Sequence, residues 1–80
     1  MSVQVANVAA PEKTLLIVED DKPFLERLAR AMQTRGFAVT TAESVAEGLQ
    51  QVEHAAPAFA VVDMRLGDGN GLDVISALKR

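Results

Sequence analysis

Acidic side chains stand at two points of the 80-residue sequence where a short apolar run ends. Glu19 and Asp20 follow the first of these runs, and Asp63 follows a later one, directly before a glycine-rich loop. Several carboxylates brought to one point repel each other, and a bound hard cation relieves that repulsion. Mg²⁺ suits such a site, because it takes one or two carboxylates and leaves room for waters and phosphate oxygens.

The apolar runs themselves predict short strands that are buried on both faces. They occupy residues 14–18, 37–41 and 58–62, and they are rich in β-branched and other apolar residues. Strands of this kind are typical of parallel sheets.

Helical spacing of apolar residues fills the intervals between these runs. One helix is predicted to open at Lys22-Pro23 and to end at a Gly36 C-cap, and a second to run from about Ser44 to His54. Residues 64–70 are predicted to be a loop, and Gly71 is predicted to open a third helix.

The resulting order, β-α-β-α-β-α, predicts a parallel sheet with helices on its faces. Ligands of open parallel sheets bind at the carboxyl ends of the strands. If the first and third strands are neighbours, Glu19, Asp20 and Asp63 therefore converge on one crevice. Residues 1–13 lack periodicity and are predicted to be a flexible lead-in, which leaves residues 14–80 as the domain.

Composition bounds the class of protein. The length allows at most one domain, and 49% hydrophobic and 24% charged residues are typical of a globular chain. A net charge of −3 argues against binding to a phosphate backbone, and the apolar runs are too short for a transmembrane helix. We therefore expect a cytoplasmic domain that binds neither nucleic acid nor membrane.

An acidic residue at one strand end is more often solvated than functional. The coincidence of an acid pair, an isolated aspartate and a glycine-rich loop, in this order, is much harder to ascribe to chance. The segments LLIVEDD and VVDMRLGDGNGLDVI resemble the receiver domain of two-component response regulators, and DMRLGDGNGLDVI is similar to the RegA/PrrA/ActR-type redox regulators. The resemblance covers about residues 14–80 and implies a flavodoxin-like α/β fold, of which the first three β-α units are present.

The resemblance also implies roles for individual residues. Asp63 corresponds to the aspartate that accepts a phosphoryl group. Asp20 corresponds to the acid that binds Mg²⁺ directly, Glu19 to its neighbour that acts through a water, and the backbone carbonyl of Arg65 to a further ligand. Asp21 is expected to help start the first helix instead.

The partner implied by the resemblance is a sensor histidine kinase, and the chain would be a phosphoryl acceptor rather than an enzyme with turnover. Receivers continue with two more β-α units, which supply a threonine or serine and a lysine, and the similar redox regulators add a DNA-binding output domain; none of these lies within the 80 residues. An alternative is a module that only self-associates or binds a kinase, without productive phosphorylation.

Association is expected from the strand order that the resemblance implies. In the order 2-1-3-4-5, the strand at 58–62 would lie at an edge of the sheet when the fourth strand is absent. Its apolar sequence has no lysine or proline to discourage pairing, and one face of the sheet would be covered by the first helix alone. We therefore expect a homodimer or larger assembly through this strand and the uncovered face.

Overall fold

The computed structural model of the chain describes residues 3–7 and 13–79. Its elements in chain order are β1 (Val3–Asn7), β2 (Thr14–Val18), α1 (Lys22–Thr34), β3 (Ala38–Ala42), α2 (Val45–His54), β4 (Phe59–Asp63), β5 (Arg65–Leu66), β6 (Gly69–Asn70) and α3 (Leu72–Leu78). Within these described ranges, no helix is long and apolar enough to cross a membrane.

The main sheet has the strand order β1-β4-β2-β3. β2 lies at its centre and pairs in parallel with both β3 and β4. The register sets Val18 of β2 opposite Val62 of β4, so these two strands end at the same level. The predicted α/β class and the parallel arrangement of the three β-α units are thereby confirmed.

Local signals set the ends of the first two helices as predicted. The Asp21 side chain caps α1 by accepting a hydrogen bond from the Phe24 N–H at 3.2 Å, and a proline stands in the first turn. Gly36 follows the end of α1 with φ of +91°, a left-handed conformation that favours glycine. Ser44 caps α2 by accepting from the Glu47 N–H at 3.1 Å.

Two apolar cores lie on the two faces of the sheet, because successive side chains of a strand point to opposite sides. The larger core packs β2 and β4 against α2 and α3, and its fully buried members include Leu16, Val62 and Val74. The smaller core packs Leu15 and Ile17 against α1. Helices therefore lie on both faces of the sheet, as the fold class requires.

Two strands and one loop differ from the predictions. β3 and β4 each begin one residue later than predicted, because apolar runs do not mark the register of pairing. Residues 64–70 were expected to form a plain loop, but they contain the short antiparallel hairpin β5–β6. Leu72 at the start of α3 is 52% exposed, and this helix contacts the core through Val74 and Leu78.

The lead-in expected to be flexible contains a strand. β1 pairs antiparallel with β4 along its whole length, from Val3 opposite Asp63 to Asn7 opposite Phe59. Alternating valines in this segment suit a strand, and the unpaired N–H and C=O groups of β4 offer it a partner. Residues 1–2 and 8–12 of the predicted lead-in lie outside the described residues.

The strand predicted at residues 58–62, which is β4, was expected to lie at an exposed edge of the sheet. Its pairing with β1 shows that this expectation is wrong. β1 occupies that edge, so the backbone of β4 is paired on both sides. The expected uncovered face is present: Val5 is 71% exposed, and its cross-strand neighbour Val61, like Phe59, is only half-buried. β1 thus protects the backbone of β4 but leaves apolar side chains accessible on the α1 face.

Deleting residues 1–7 should lower the free energy of unfolding by about 1 kcal/mol or more, because several backbone hydrogen bonds of β4 lose their partner. The deletion should also promote association, since an apolar edge invites another chain. Urea unfolding and light scattering coupled to size exclusion measure these effects.

A variant of unchanged length, with residues 3–7 replaced by alternating glycine and serine, is the matched control. It should behave like the deletion, because it keeps the length but loses the tendency to form a strand. Unchanged stability and molar mass in both variants would show that β1 does not protect β4.

Candidate functional site

The neighbouring strands β2 and β4 bring three carboxylates together. Glu19 and Asp20 follow β2 directly, and Asp63 is the last residue of β4. One carboxylate oxygen from each of the three lies within 4.8 Å of the others. The convergence predicted from the sequence is therefore present at the carboxyl end of the sheet.

Two members of this carboxylate cluster are buried. Glu19 is 2% and Asp63 3% exposed, whereas Asp20 is exposed. The Asp63 Oδ1 accepts a hydrogen bond from the Arg65 backbone N–H at 2.9 Å, and the Glu19 Oε2 accepts one from the Asp21 N–H at 3.2 Å. The other Glu19 oxygen, Oε1, is buried and has no hydrogen-bond partner among the described residues.

Burial and charge act together on Glu19. The pKa of its carboxyl is raised from 4.5 to about 7: burial raises it most, the Asp21 N–H lowers it, and the Asp63 and Asp20 carboxylates raise it further. A buried carboxylate without a partner is costly, and here it has like charges beside it. Either a proton or a cation would therefore reduce the repulsion between these carboxylates and the cost of burying their charge.

The donor set fits a hard divalent cation. All three side chains offer carboxylate oxygens, which magnesium prefers, and the unpartnered Glu19 Oε1 is a free acceptor inside the cluster. Arg65 begins the hairpin two residues after Asp63, which puts its backbone beside the cluster. Asp21 caps α1 and is not a member of the cluster, as the sequence predicted.

Gly71 lies against the backbone of Asp63. A β-carbon at position 71 would collide with the Asp63 carbonyl oxygen and would lie 2.8 Å from the Val62 Cγ1. Only glycine therefore allows the start of α3 to approach the end of β4 so closely. The structure confirms the prediction that Gly71 opens the third helix.

The hairpin after Asp63 contains a contact that the sequence did not reveal. Both carboxylate oxygens of Asp68 accept backbone hydrogen bonds from α2, from the Val45 N–H at 2.8 Å and the Ala46 N–H at 3.1 Å. These two bonds hold the pKa of Asp68 below its ordinary value. The glycines on either side of Asp68 predict a tight turn. Nothing in the sequence predicts that this aspartate contacts Val45, which is distant in the chain.

Comparison with known proteins gives the family context of this geometry. The family model of the response regulator receiver domain matches residues 15–80. The acid tolerance regulatory protein ActR of Sinorhizobium medicae is 60% identical over 74 residues, which are 92% of this chain and 38% of that protein. No solved structure matches the chain.

Two proteins named as regulators of the photosynthetic apparatus give the same result. The photosynthetic apparatus regulatory protein RegA of Cereibacter sphaeroides is 57% identical over 68 residues, which are 85% of this chain and 37% of that protein. RegA of Rhodobacter capsulatus is 54% identical over the same length. The chain thus spans less than two-fifths of the length of the curated relatives it matches.

Without divalent cations, the contribution of Glu19 to stability should depend on pH. Its folded pKa of about 7 lies above the ordinary 4.5, so the folded protein holds this proton more tightly than the unfolded chain. That contribution is fully present below about pH 4.5 and is lost as the pH rises toward 7. Glu19→Gln, which mimics the neutral form, should therefore gain stability relative to the unmodified chain across this window.

Urea unfolding at several pH values measures the difference between the two proteins. Glu53→Gln, which neutralises an exposed carboxylate of α2, is the control and should show no such trend. A difference between Glu19→Gln and the unmodified chain that stays constant with pH would contradict the raised pKa.

Proposed function

Because the chain belongs to the response regulator receiver domain family of two-component systems, we propose that it accepts a phosphoryl group from a histidine kinase on the Asp63 carboxylate. The chain would be a substrate that assists its own phosphorylation, rather than an enzyme that turns over other molecules.

The observation that carries this proposal is the position of Asp63. Its carboxylate stands at the end of a central strand, is oriented by the Arg65 N–H at 2.9 Å, and lies beside two further carboxylates. A hydrogen bond to one oxygen holds the side chain in one orientation, which favours attack along a defined line. A structural acid at a strand end would instead be paired with a cation or fully solvated.

Mg²⁺ is the cofactor that we propose for this site. Asp20, Asp63 and the Arg65 carbonyl would hold it directly, and Glu19 would act through a water. When bound, Mg²⁺ would neutralise the anionic oxygens of the incoming phosphoryl group. The unpartnered Glu19 Oε1 supports this proposal, because an ordered water of the metal would supply the hydrogen bond that this oxygen lacks.

The transfer itself needs no proton from the chain. An oxygen of the Asp63 carboxylate forms a bond to phosphorus while the bond between phosphorus and the donor breaks, and the donor leaves with that electron pair. The product is an acyl phosphate. The carboxyl groups of Glu19 and Asp20 lie close to that of Asp63, so the unphosphorylated site repels an anionic phosphoryl group. Transfer should therefore require the cation.

For the whole protein we propose a transcription regulator in which residues 14–80 are the first three β-α units of the receiver. The relatives are named as regulatory proteins of acid tolerance and of the photosynthetic apparatus. Phosphorylation would then control a DNA-binding output domain outside these residues.

A second candidate is a module for self-association. The exposed Val3 and Val5 and the half-buried Phe59 and Val61 favour it, since they form an apolar strip on the face that α1 leaves open. The occupant would be a second copy of the chain. The mass measurement proposed below separates the two functions, because an association module would gain no phosphoryl group.

Replacing Asp20 by Asn should weaken Mg²⁺ binding by more than about 10-fold, since even the loss of a partner behind a metal ligand has an effect of that size. Calorimetric titration measures the affinity. Asp21→Asn is the matched control: it removes a neighbouring charge, but asparagine caps a helix as well as aspartate does. Equal affinities in the two variants would contradict the metal site.

Incubation with Mg²⁺ and acetyl phosphate should add the mass of one phosphoryl group to the chain, detected by intact-mass spectrometry. Asp63→Asn should gain none, because an amide oxygen is too poor a nucleophile. Omission of Mg²⁺ should prevent the reaction in the unmodified chain. An equal gain of mass in the Asn variant would place the acceptor elsewhere.

A further inference from the structure

The hairpin β5–β6 is held in place at two points. On one side Leu66 is buried in the core between the sheet, α2 and α3. On the other side the Asp68 carboxylate accepts the two backbone hydrogen bonds from Val45 and Ala46. The hairpin thus bridges the end of β4 and the start of α2, which are far apart in sequence.

Asp68 satisfies backbone N–H groups in the first turn of α2. The first N–H groups of a helix have no partner inside the helix. In α2 the Ser44 side chain satisfies only the Glu47 N–H, and Asp68 satisfies the two that precede it. The helix therefore starts with its amides directed at the hairpin, and a carboxylate is the group that such a helix start favours.

The same hairpin borders the carboxylate cluster. Arg65, its first residue, donates its N–H to Asp63. At the turn, a β-carbon built on Gly67 would lie 3.9 Å from the Asp20 Oδ2, so the backbone passes close to the exposed member of the cluster. The hairpin therefore both orients Asp63 through the Arg65 N–H and passes close to Asp20.

We propose that Asp68 is a positioning residue for phosphorylation of Asp63, because its carboxylate ties the hairpin that carries Arg65 to the start of α2. This inference rests on the proposed function. Asp68 itself contacts neither the acceptor nor the cation site. It acts through the hairpin by limiting the positions that the Arg65 N–H and carbonyl adopt, and it couples any movement of the hairpin to α2.

The test compares Asp68→Ala with Ser44→Ala. Both variants leave N–H groups unsatisfied in the first turn of α2, but only the first releases the hairpin. Asp68→Ala should lower both the affinity for Mg²⁺ and the rate of phosphorylation by acetyl phosphate about 10-fold or more, as expected for a partner behind a ligand. Ser44→Ala should leave both quantities within about twofold of the unmodified chain, since the Ser44 hydroxyl accepts its hydrogen bond from Glu47 of α2 and not from the hairpin.

Asp68→Asn keeps one acceptor oxygen and should fall between the unmodified chain and the alanine variant. If Asp68→Ala does not fold, Asp68→Asn takes its place, and its Mg²⁺ affinity and phosphorylation rate are compared with those of Ser44→Ala. Amide hydrogen exchange should show faster exchange at Val45 and Ala46 in both Asp68 variants, and at the hairpin as well. Ser44→Ala should leave the exchange of the hairpin amides unchanged.

Equal losses in the Asp68 and Ser44 variants would reduce Asp68 to a helix cap and overturn the inference. Unchanged binding and rate in Asp68→Ala would overturn it as well, while leaving the proposed function intact. If the unmodified chain itself takes up no phosphoryl group, the proposed function fails, and this inference falls with it.

Discussion

Two carboxyl groups buried side by side at the end of a parallel sheet are the constraint on which the site depends. Glu19 and Asp63 are almost inaccessible to water, yet one oxygen of Glu19 has no hydrogen-bond partner among the described residues. Burial of charge is expensive, and an apolar pair at these positions would pack without that expense. A proton on Glu19 or a bound cation would each offset this cost, and the cation is the alternative on which the proposed function rests.

The parallel sheet creates this constraint, and the surrounding elements preserve it. The register of β2 against β4 brings the two strand ends to one level, so the acids that follow them meet. Gly71 then lets α3 begin directly against the Asp63 backbone, and Asp68 fastens the intervening hairpin to α2. Each of these contacts involves backbone atoms, which suits a site where small displacements matter.

The outer side of β4 shows how an open sheet edge is satisfied. β1 pairs with β4 in antiparallel fashion, although it lies outside the residues that match the receiver family. In the flavodoxin-like order that place belongs to a fourth, parallel strand. Pairing of the backbone does not require a particular sequence, so a short valine-containing segment is able to occupy the edge while the side chains of Val3 and Val5 stay exposed.

The sequence by itself determined the order of the three β-α units, most helix ends and the identity of the clustered acids, because apolar periodicity, caps and strand-terminal charges are local signals. The positions of Glu19, Asp20 and Asp63 after two apolar runs were enough to predict their convergence once these two strands were taken as neighbours in a parallel sheet. Only the tertiary structure decided the pairing of β1 with β4, the hairpin after Asp63 and the bonds from α2 to Asp68. These contacts join residues distant in the chain through backbone groups that every sequence possesses, so no residue pattern announces them.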